Sequence, residues 1–182
     1  MKLLILDLDG VIVDCNDRFD LADQAKLQAE NDGLDYRTCQ DIYWKTALNA
    51  QHVHLDKPVE GAAADVLALR GQHSTMLYLS SRPEHMRAAT EKWLFEHDLL
   101  DSQLLILKAP GFQFVKTSIW KEGMIQTLGA MFCADEITFV DDEVSNHPPA
   151  AGPIATLRTF TSLQAALSPE KPQAADDPFM PE

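Results

Sequence analysis

The chain has 182 residues and a net charge of −13, with 46% hydrophobic and 24% charged residues. This composition is typical of a globular protein with one good core, and it excludes a fibrous or wholly disordered chain. The negative balance disfavours extended contact with DNA, RNA or an anionic membrane, because phosphate backbones are bound by clustered cations. A local basic pocket stays open as a possibility.

The apolar runs are far shorter than the roughly 20 residues that cross a bilayer, and Leu3 to Leu6 is too short for the apolar part of a signal peptide. Cys15, Cys39 and Cys133 lie far apart and lack the CxxC spacing of a zinc or redox site. We interpret each cysteine as a small buried apolar residue and expect a cytoplasmic protein.

The predicted elements begin with a strand at Leu3 to Asp7, whose continuous apolar run suits a strand buried on both faces of a parallel sheet. The strand ends in a turn at Asp9-Gly10. Two amphipathic helices follow, at Arg18 to Glu30 and at Tyr36 to Ala50. We interpret these helices as a small two-helix cap insertion over residues 15–56.

Strands and helices alternate after a break at Gln51 to Pro58, and this alternation predicts an α/β fold with a doubly wound parallel sheet. The core is predicted at residues 1–14 and 57–167, and the acidic, Pro-rich segment 168–182 is predicted to be a loose tail. The predicted strands lie at 75–80, 104–107 and 136–140, with a weaker one at 154–157. The predicted helices lie at 61–70, 117–131 and 162–167. A further helix is predicted to begin with a capping box at Ser81-Arg82-Pro83-Glu84 and to run to about His97.

Polar residues follow the predicted strands where ligands of such sheets bind, outside the carboxyl ends. Asp7 and Asp9 follow the first strand, and Asp141 and Asp142 follow the strand at 136–140. Four carboxylates in one pocket repel each other and are held ionised by a cation. Oxygen ligands on short loops favour Mg²⁺, so these four residues are the predicted metal ligands.

A phosphate brought to this magnesium would also meet hydrogen-bond donors and a lysine. Ser80 ends the strand at 75–80, and the first turn of the helix at 117–131 offers backbone N–H groups. Lys108, Lys116 and Lys121 are the candidate cations. We favour Lys116 because it stands at the mouth of its helix, and we interpret the other two as surface lysines. The set suits phosphoryl transfer rather than acyl transfer or redox chemistry.

Four segments of the chain resemble, in their usual order, the motifs of the haloacid dehalogenase superfamily. They are Leu6-Asp7-Leu8-Asp9-Gly10-Val11, Leu79-Ser80-Ser81-Arg82-Pro83, Lys116 and Phe139-Val140-Asp141-Asp142. The resemblance covers roughly Met1 to Thr159 and implies a Rossmann-like core with a cap. It also implies a magnesium held by the Asp7 side chain, the Asp9 carbonyl and an acid of the fourth motif. We prefer Asp142 as that acid, with Asp141 orienting Asp142 or the lysine.

The resemblance implies a phosphoaspartyl mechanism. Asp7 would attack phosphorus, and Asp9 would protonate the leaving oxygen and then activate water. Lys116 would neutralise the nucleophile and the transferring phosphoryl group, and Ser80 would donate a hydrogen bond to a phosphoryl oxygen. A second aspartate at position 9 is expected of phosphatases and absent from dehalogenases, so dehalogenation is disfavoured.

The second motif departs from the common pattern of the superfamily, since Ser80-Ser81 stands where Thr and then Gly are usual. The hydroxyl is kept and a flexible position is lost. Ser81 and Arg82 are the candidate substrate-binding residues, with a solvent-exposed position as the alternative for Arg82. Trp44, Trp93 and Trp120 are interpreted first as core residues, and stacking of Tyr43 and Trp44 on a substrate ring is the alternative.

The expected substrate is a small phosphate ester, and nucleotides are the best named class. The segment Leu79 to Trp93 is similar to phosphatases that act on nucleotides and on polynucleotide ends. Polynucleotide ends rank second because the negative charge of the chain opposes a long nucleic-acid track. The remaining alternative is a regulatory protein in which the carboxylates accept phosphate or hold magnesium without turnover.

Overall fold

A computed structural model describes residues 1–100, 104–149 and 156–168 of the chain. Five strands form an all-parallel sheet: β1 (Lys2–Leu6), β4 (Thr75–Pro83), β5 (Leu104–Lys108), β6 (Glu136–Val140) and β7 (Leu157–Phe160). Their order across the sheet is β5-β4-β1-β6-β7. The predicted doubly wound α/β fold is confirmed. The predicted tail from residue 169 onward lies outside the described residues, as does the start of the weak strand at 154.

The helices alternate with these strands. They are α1 (Asn16–Asn31), α2 (Tyr36–Ala47), α3 (Ala62–Arg70), α4 (Arg87–Glu96), α5 (Thr117–Met131) and α6 (Leu163–Leu167). Asp35 caps α2, because its carboxylate accepts hydrogen bonds from the backbone N–H groups of Arg37 and Thr38. No helix in the described part of the chain is long and apolar enough to cross a membrane.

The central strand β1 is buried on both faces. Leu4 and Leu6 pack in a core that includes residues of α3, α4 and α6. Leu3 and Ile5 point to the other face, where the core contains Trp120, Ile125 and Leu128 of α5. Because successive side chains of a strand alternate between faces, a strand covered on both sides needs apolar residues throughout. The continuous apolar run at the start of the chain is explained by this burial.

The chain reverses its direction of travel across the sheet next to β1. After β1 it runs outward to β4 and β5 on one side, then crosses to β6 and β7 on the other. The carboxyl ends of β1 and β6 therefore flank the switch point, where ligands of open α/β sheets bind. The backbone N–H of Asp7 donates to the carbonyl of Val140 at 2.9 Å, which fixes the two strand ends side by side.

A short antiparallel ladder joins the two chain passages at which the predicted cap insertion begins and ends. It pairs β2 (Val13–Asp14) with β3 (Lys57–Pro58). The sequence did not predict this ladder, because two-residue strands are too short to show a period and one of them contains proline. A 3₁₀ turn at Ala50–Leu55 precedes it. Between these passages, α1 and α2 pack against each other.

The predicted capping box at Ser81-Arg82-Pro83-Glu84 is wrong. Strand β4 continues to Pro83 with an irregularity between Ser80 and Pro83, a 3₁₀ turn occupies Glu84–Met86, and α4 begins only at Arg87. Proline disfavours the helical conformation of the residue before it, so Arg82 stays extended and prolongs the strand. Arg82 therefore lies within β4, beyond residue 80 where the predicted strand ends.

The cysteines only partly follow the prediction that all three are buried. Cys39 is buried and Cys15 is intermediate, but Cys133 is exposed. Cys133 adopts a positive φ of 48° directly after the C-cap of α5, at the surface where the chain leaves the helix. Position in this turn, rather than the apolar character of the thiol, determines its exposure.

Substituting Leu128 by Ala tests the packing of α5 on the sheet. Leu128 is 1% exposed, whereas Met131 on the same helix is 70% exposed. We expect Leu128→Ala to lower the free energy of unfolding by about 2 to 5 kcal/mol, since it leaves a cavity in a close-packed core. The matched control, Met131→Ala, should leave the urea midpoint nearly unchanged. Equal midpoints for the two variants would contradict this packing.

Candidate active site

Three of the four predicted metal ligands lie together at the switch point. Asp7 follows β1, Asp141 and Asp142 follow β6, and one carboxylate oxygen from each lies within 4.8 Å of the others. The carboxylate of Asp9 is engaged elsewhere, with two arginines. The sequence therefore predicted the acidic cluster, and the structure separates the side chain of Asp9 from it.

Asp7 has one paired and one unpaired carboxylate oxygen. Its Oδ2 lies 2.7 Å from Nζ of Lys121. Its Oδ1 is buried and has no hydrogen-bond partner among the residues that the structure describes. Burial raises the pKa of Asp7 to about 7, with Asp141 adding to the effect and Lys121 opposing it. A buried acceptor without a donor is costly, so this oxygen fits a site where a ligand completes the contacts.

The lysine at the cluster is Lys121, and the prediction of Lys116 is wrong. Nζ of Lys121 lies 2.7 Å from Asp7 Oδ2 and 2.5 Å from Asp141 Oδ2, and the residue is 1% exposed. Lys116 is the exposed N-cap residue of α5. The two carboxylates raise the pKa of Lys121 although burial acts in the opposite direction.

Helix geometry explains why the second lysine reaches the site. Lys121, Ile125 and Leu128 are spaced as i, i+4 and i+7 and are all buried, so they share the face that packs on the sheet. Side chains of a helix lean toward its N-terminus, which directs Lys121 back to the strand ends. A lysine on an apolar stripe was the signal in the sequence that could have identified it.

Asp141 and Asp142 have different surroundings. Asp141 is fully buried, and its Oδ1 accepts hydrogen bonds from the Glu143 backbone N–H at 3.0 Å and from Asn146 Nδ2 at 3.2 Å, while its Oδ2 faces Lys121. Asp142 is exposed, but its carboxyl group is partly shielded from water. This partial burial, and to a smaller extent repulsion from Asp141, raises the pKa of Asp142. Both carboxylate oxygens of Asp141 thus already accept hydrogen bonds.

Gly10 lets the loop after β1 approach Asp142 closely. Its φ is +80°, and a Cβ atom at this position would lie 2.2 Å from Asp142 Oδ2. Any side chain here would meet the carboxylate, and an L-residue would be strained at this φ. The turn at Asp9-Gly10 therefore sets the distance between the two acidic loops.

Asp9 belongs to a second group of charges, here called the arginine network and formed by the partly buried Asp9 and the buried Arg18, Asp56 and Arg82. Arg82 contacts Asp9 Oδ1 at 2.5 Å and Arg18 contacts the same oxygen at 2.9 Å. Asp56 bridges the two arginines, at 2.7 Å from Arg18 and 2.6 Å from Arg82. Burial opposes ionisation of Asp9, but Arg82 and then Arg18 outweigh it and lower its pKa.

The structure excludes the solvent-exposed position considered for Arg82. The residue is 1% exposed, so it does not lie in solvent. Its guanidinium contacts Asp9, Asp56 and Thr90 rather than lining the neighbouring cavity. The sequence did not predict Arg18 or Asp56 as members of the site. Arg18 lies on the buried stripe of α1 with Ala22 and Ala29, which was the available signal.

Ser80 and Ser81 lie at the carboxyl end of β4. Ser80 is 1% exposed, and its Oγ accepts a hydrogen bond from the backbone N–H of Arg82 at 3.2 Å. The Ser80 hydroxyl proton is therefore available to another acceptor. Ser81 lines a cavity of about 640 Å³ between α2 and the carboxyl ends of β4 and β5.

This cavity is larger than two others at the described residues, which have volumes of about 40 and 220 Å³. One wall is a face of α2 that includes Trp44, which is 51% exposed, and the opposite wall includes Thr117 at the start of α5. Trp93 and Trp120 are buried core residues as predicted, but Trp44 is not. The exposure of Trp44 leaves the stacking alternative in place.

The fold is similar to that of several solved hydrolases. A haloacid dehalogenase-like family protein from Streptococcus pneumoniae superposes with a TM-score of 0.59 at 12% identity, covering 79% of this chain and 77% of that one. A HAD phosphatase from Thermococcus onnurineus gives 0.56 at 13%, covering 91% and 96%. A HAD-superfamily hydrolase of subfamily IA from Geobacter sulfurreducens gives 0.55 at 16%, covering 92% and 95%.

No protein-family model and no curated protein sequence matches the chain. At the identities above, the likeness to solved structures concerns the fold. The chain has a haloacid dehalogenase-like fold, and the strands that carry or precede the first, second and fourth motifs, β1, β4 and β6, are neighbours in its sheet. The predicted Rossmann-like core is thereby confirmed.

Replacing Asp56 by Asn tests the arginine network. Removal of this carboxylate charge leaves two buried guanidinium groups sharing only Asp9, so we expect Asp56→Asn to lower the free energy of unfolding by about 3 to 5 kcal/mol. Asp17→Asn is the matched control, since Asp17 pairs with Lys57 at 2.7 Å at the surface. Exposed pairs contribute little, so the control should keep its urea midpoint. A fully stable Asp56→Asn variant would contradict the network.

Proposed function

We propose that the protein is a Mg²⁺-dependent phosphomonoester hydrolase that forms a phosphoaspartyl intermediate on Asp7. The observation that carries this proposal is the environment of the Asp7 carboxylate. One oxygen is buried without a partner among the described residues and the other contacts Lys121, at the switch point of a haloacid dehalogenase-like sheet. A carboxylate held in this way can act as a phosphoryl acceptor.

The donor set fits magnesium. Asp7, Asp141 and Asp142 bring three carboxylates together, and Lys121 is the ammonium ion that contacts two of them. Ionised, this group retains a surplus of negative charge that a divalent cation would balance. The side chains of Asp7 and Asp142 and the main-chain carbonyl of Asp9 are the proposed ligands. Asp141 orients Lys121 instead, because both of its oxygens already accept hydrogen bonds.

Bound magnesium would neutralise charge on the nucleophile and on the phosphoryl oxygens. Asp7 attacks phosphorus, an oxygen–phosphorus bond forms to the carboxylate, and the bond to the leaving oxygen breaks. Lys121 stabilises the transferring phosphoryl group, and the Ser80 hydroxyl donates a hydrogen bond to a phosphoryl oxygen. Water then attacks phosphorus, which releases inorganic phosphate and regenerates Asp7.

Asp9 is the proposed acid and base of the two steps. Its pairs with Arg82 and Arg18 favour the carboxylate, which is the form that accepts a proton from the attacking water. The first step uses the protonated form, in which Asp9 gives its proton to the leaving oxygen. The arginine network thus supports the base role directly, and protonation of Asp9 weakens its contacts with both arginines.

The proposed substrate is a small phosphate ester, with nucleotides as the first class and polynucleotide ends as the second. The cavity beside Ser81 provides space for the leaving group of such an ester. We further propose that residues 15–56 act as a cap over this cavity and that the protein works in the cytoplasm. Binding of phosphate or Mg²⁺ without turnover is the competing function.

Asp7→Asn separates these two functions. With p-nitrophenyl phosphate and Mg²⁺, we expect turnover by the native chain, loss of turnover on adding EDTA, and recovery when Mg²⁺ is restored. The amide that replaces the carboxylate cannot act as the nucleophile, so Asp7→Asn should show only background hydrolysis. Equal activity of the two proteins would refute the assigned nucleophile, and Mg²⁺ binding with no turnover by either protein would favour the regulatory alternative.

Paired substitutions of two lysines test which of them serves the site. Lys121→Met removes the ammonium group beside Asp7 and should lower kcat about a hundredfold or more, the effect of losing one preorganised electrostatic contact. Lys116→Met, at the exposed N-cap of the same helix, should retain near-native kcat. Far-UV circular dichroism verifies that each variant is folded. A larger loss with Lys116→Met than with Lys121→Met would reverse the assignment.

A further inference from the structure

We propose that the α2 wall of the cavity binds the leaving group of the ester, and that Trp44 selects a leaving group with a flat aromatic ring. The substrate class is then the nucleoside monophosphates. This inference rests on the proposed function, and it assigns specificity to a residue outside the catalytic cluster. It follows from the position of the cavity, from the packing of Trp44 and from the charges of the lining.

The cavity lies beside the chemical site, although neither the acidic cluster nor Lys121 lines it. Asp41, Trp44, Lys45 and Leu48 line it and are spaced as i, i+3, i+4 and i+7, so a single face of the helix forms this wall. The opposite wall includes Ser81, adjacent to Ser80, and Thr117, one turn before Lys121 on α5. Under this proposal, an ester with its phosphoryl group at Ser80 and Lys121 extends its leaving group past Ser81 and Thr117 toward α2.

Trp44 presents an oriented aromatic surface to this space. Its ring meets Tyr43 edge to face, with ring centroids 4.9 Å apart and planes at 84°. Tyr43 in turn stacks on Phe19 of α1 at 6.3 Å and 24°. These contacts hold one edge of the indole while half of the residue stays exposed. A preordered aromatic surface in a cavity binds flat rings at a small entropic cost.

The size and charge of the cavity indicate one phosphate and one small leaving group. Its volume of about 640 Å³ is within the usual range for small-molecule sites. Its charged lining comprises two acids, Asp41 and Glu84, and two lysines, Lys45 and Lys108. Lys108 is also engaged, since its Nζ donates to the Val115 carbonyl at 2.6 Å. A balanced lining offers no cationic track for a polyphosphate or a polynucleotide.

Tryptophan fluorescence gives a readout that does not need turnover. Trp93 and Trp120 are 4% and 5% exposed, so Trp44 is the accessible tryptophan of the three. In an Asp7→Asn background with Mg²⁺, adenosine 5′-monophosphate should quench the emission saturably, and ribose 5-phosphate should not. Adding Trp44→Ala should abolish the quenching and weaken nucleotide binding about tenfold, the effect of losing one base stacked on an aromatic side chain.

Kinetics of the active chain complete the test. We expect Trp44→Ala to lower the ratio of kcat/KM for adenosine 5′-monophosphate over ribose 5-phosphate about tenfold, and Trp44→Phe to restore part of it. Tyr36→Ala is the matched control, because Tyr36 is an exposed aromatic residue on α2 that does not line the cavity. This variant should keep the native ratio.

The outcomes distinguish this inference from the proposed function. Hydrolysis of both esters with an unchanged ratio in Trp44→Ala, and no quenching, would overturn the role of Trp44 and leave the phosphatase intact. Saturable quenching without hydrolysis of any ester would support the ring site and overturn the proposed function. Neither quenching nor hydrolysis would overturn both. A preference for a 3′-phosphorylated oligonucleotide over the mononucleotide would also overturn the inference.

Discussion

The position of Lys121 between two buried carboxylates is the constraint on which the site depends. Nζ lies within 2.7 Å of both Asp7 and Asp141, with almost no access to solvent. A charge out of water is tolerated only when it is paired, so β1, β6 and α5 must meet in one register for the chain to fold. The same three elements then place the proposed nucleophile Asp7, the lysine that contacts it and the acid proposed to orient that lysine.

Two groups of buried charge lie side by side in this protein, and their balance distinguishes their roles. The arginine network pairs two guanidinium groups with two carboxylates, and it joins α1 and Asp56 to the core through Asp9. It is electrically complete. The cluster at the switch point combines three carboxylates with Lys121 and leaves Asp7 Oδ1 without a partner among the described residues. Incomplete pairing is the property expected of a site that acquires a cation and a phosphate.

The sequence predicted the positions of the aspartates because a strand that ends in a carboxylate is a local pattern. Asp7 and Asp141 follow apolar runs, and parallel strands bring such ends together whatever the helices do. Pairing within the site was harder to predict. Lys121 and Arg18 lie on apolar helical stripes, where a long cationic side chain commonly extends to solvent, and only the packing of each helix shows that these two reach carboxylates instead. To predict the position of Arg82, it was necessary to recognise that Pro83 keeps the preceding residue extended and so prolongs the strand.

The surplus of charge in the site thus lies at the strand ends, where the proposed reaction at phosphorus takes place. The lining beside α2 is balanced in charge and carries an exposed indole, whereas the strand ends carry the proposed nucleophile, Lys121 and the predicted metal ligands. With a net charge of −13, the molecule as a whole repels polyanions, so attraction for phosphate is local. Screening over about 10 Å at moderate salt lets a compact dianion reach the lysine, while a long polynucleotide retains many phosphates opposite the acidic surface. Repulsion of the polymer and a neutral leaving-group site therefore act in the same direction and favour a mononucleotide.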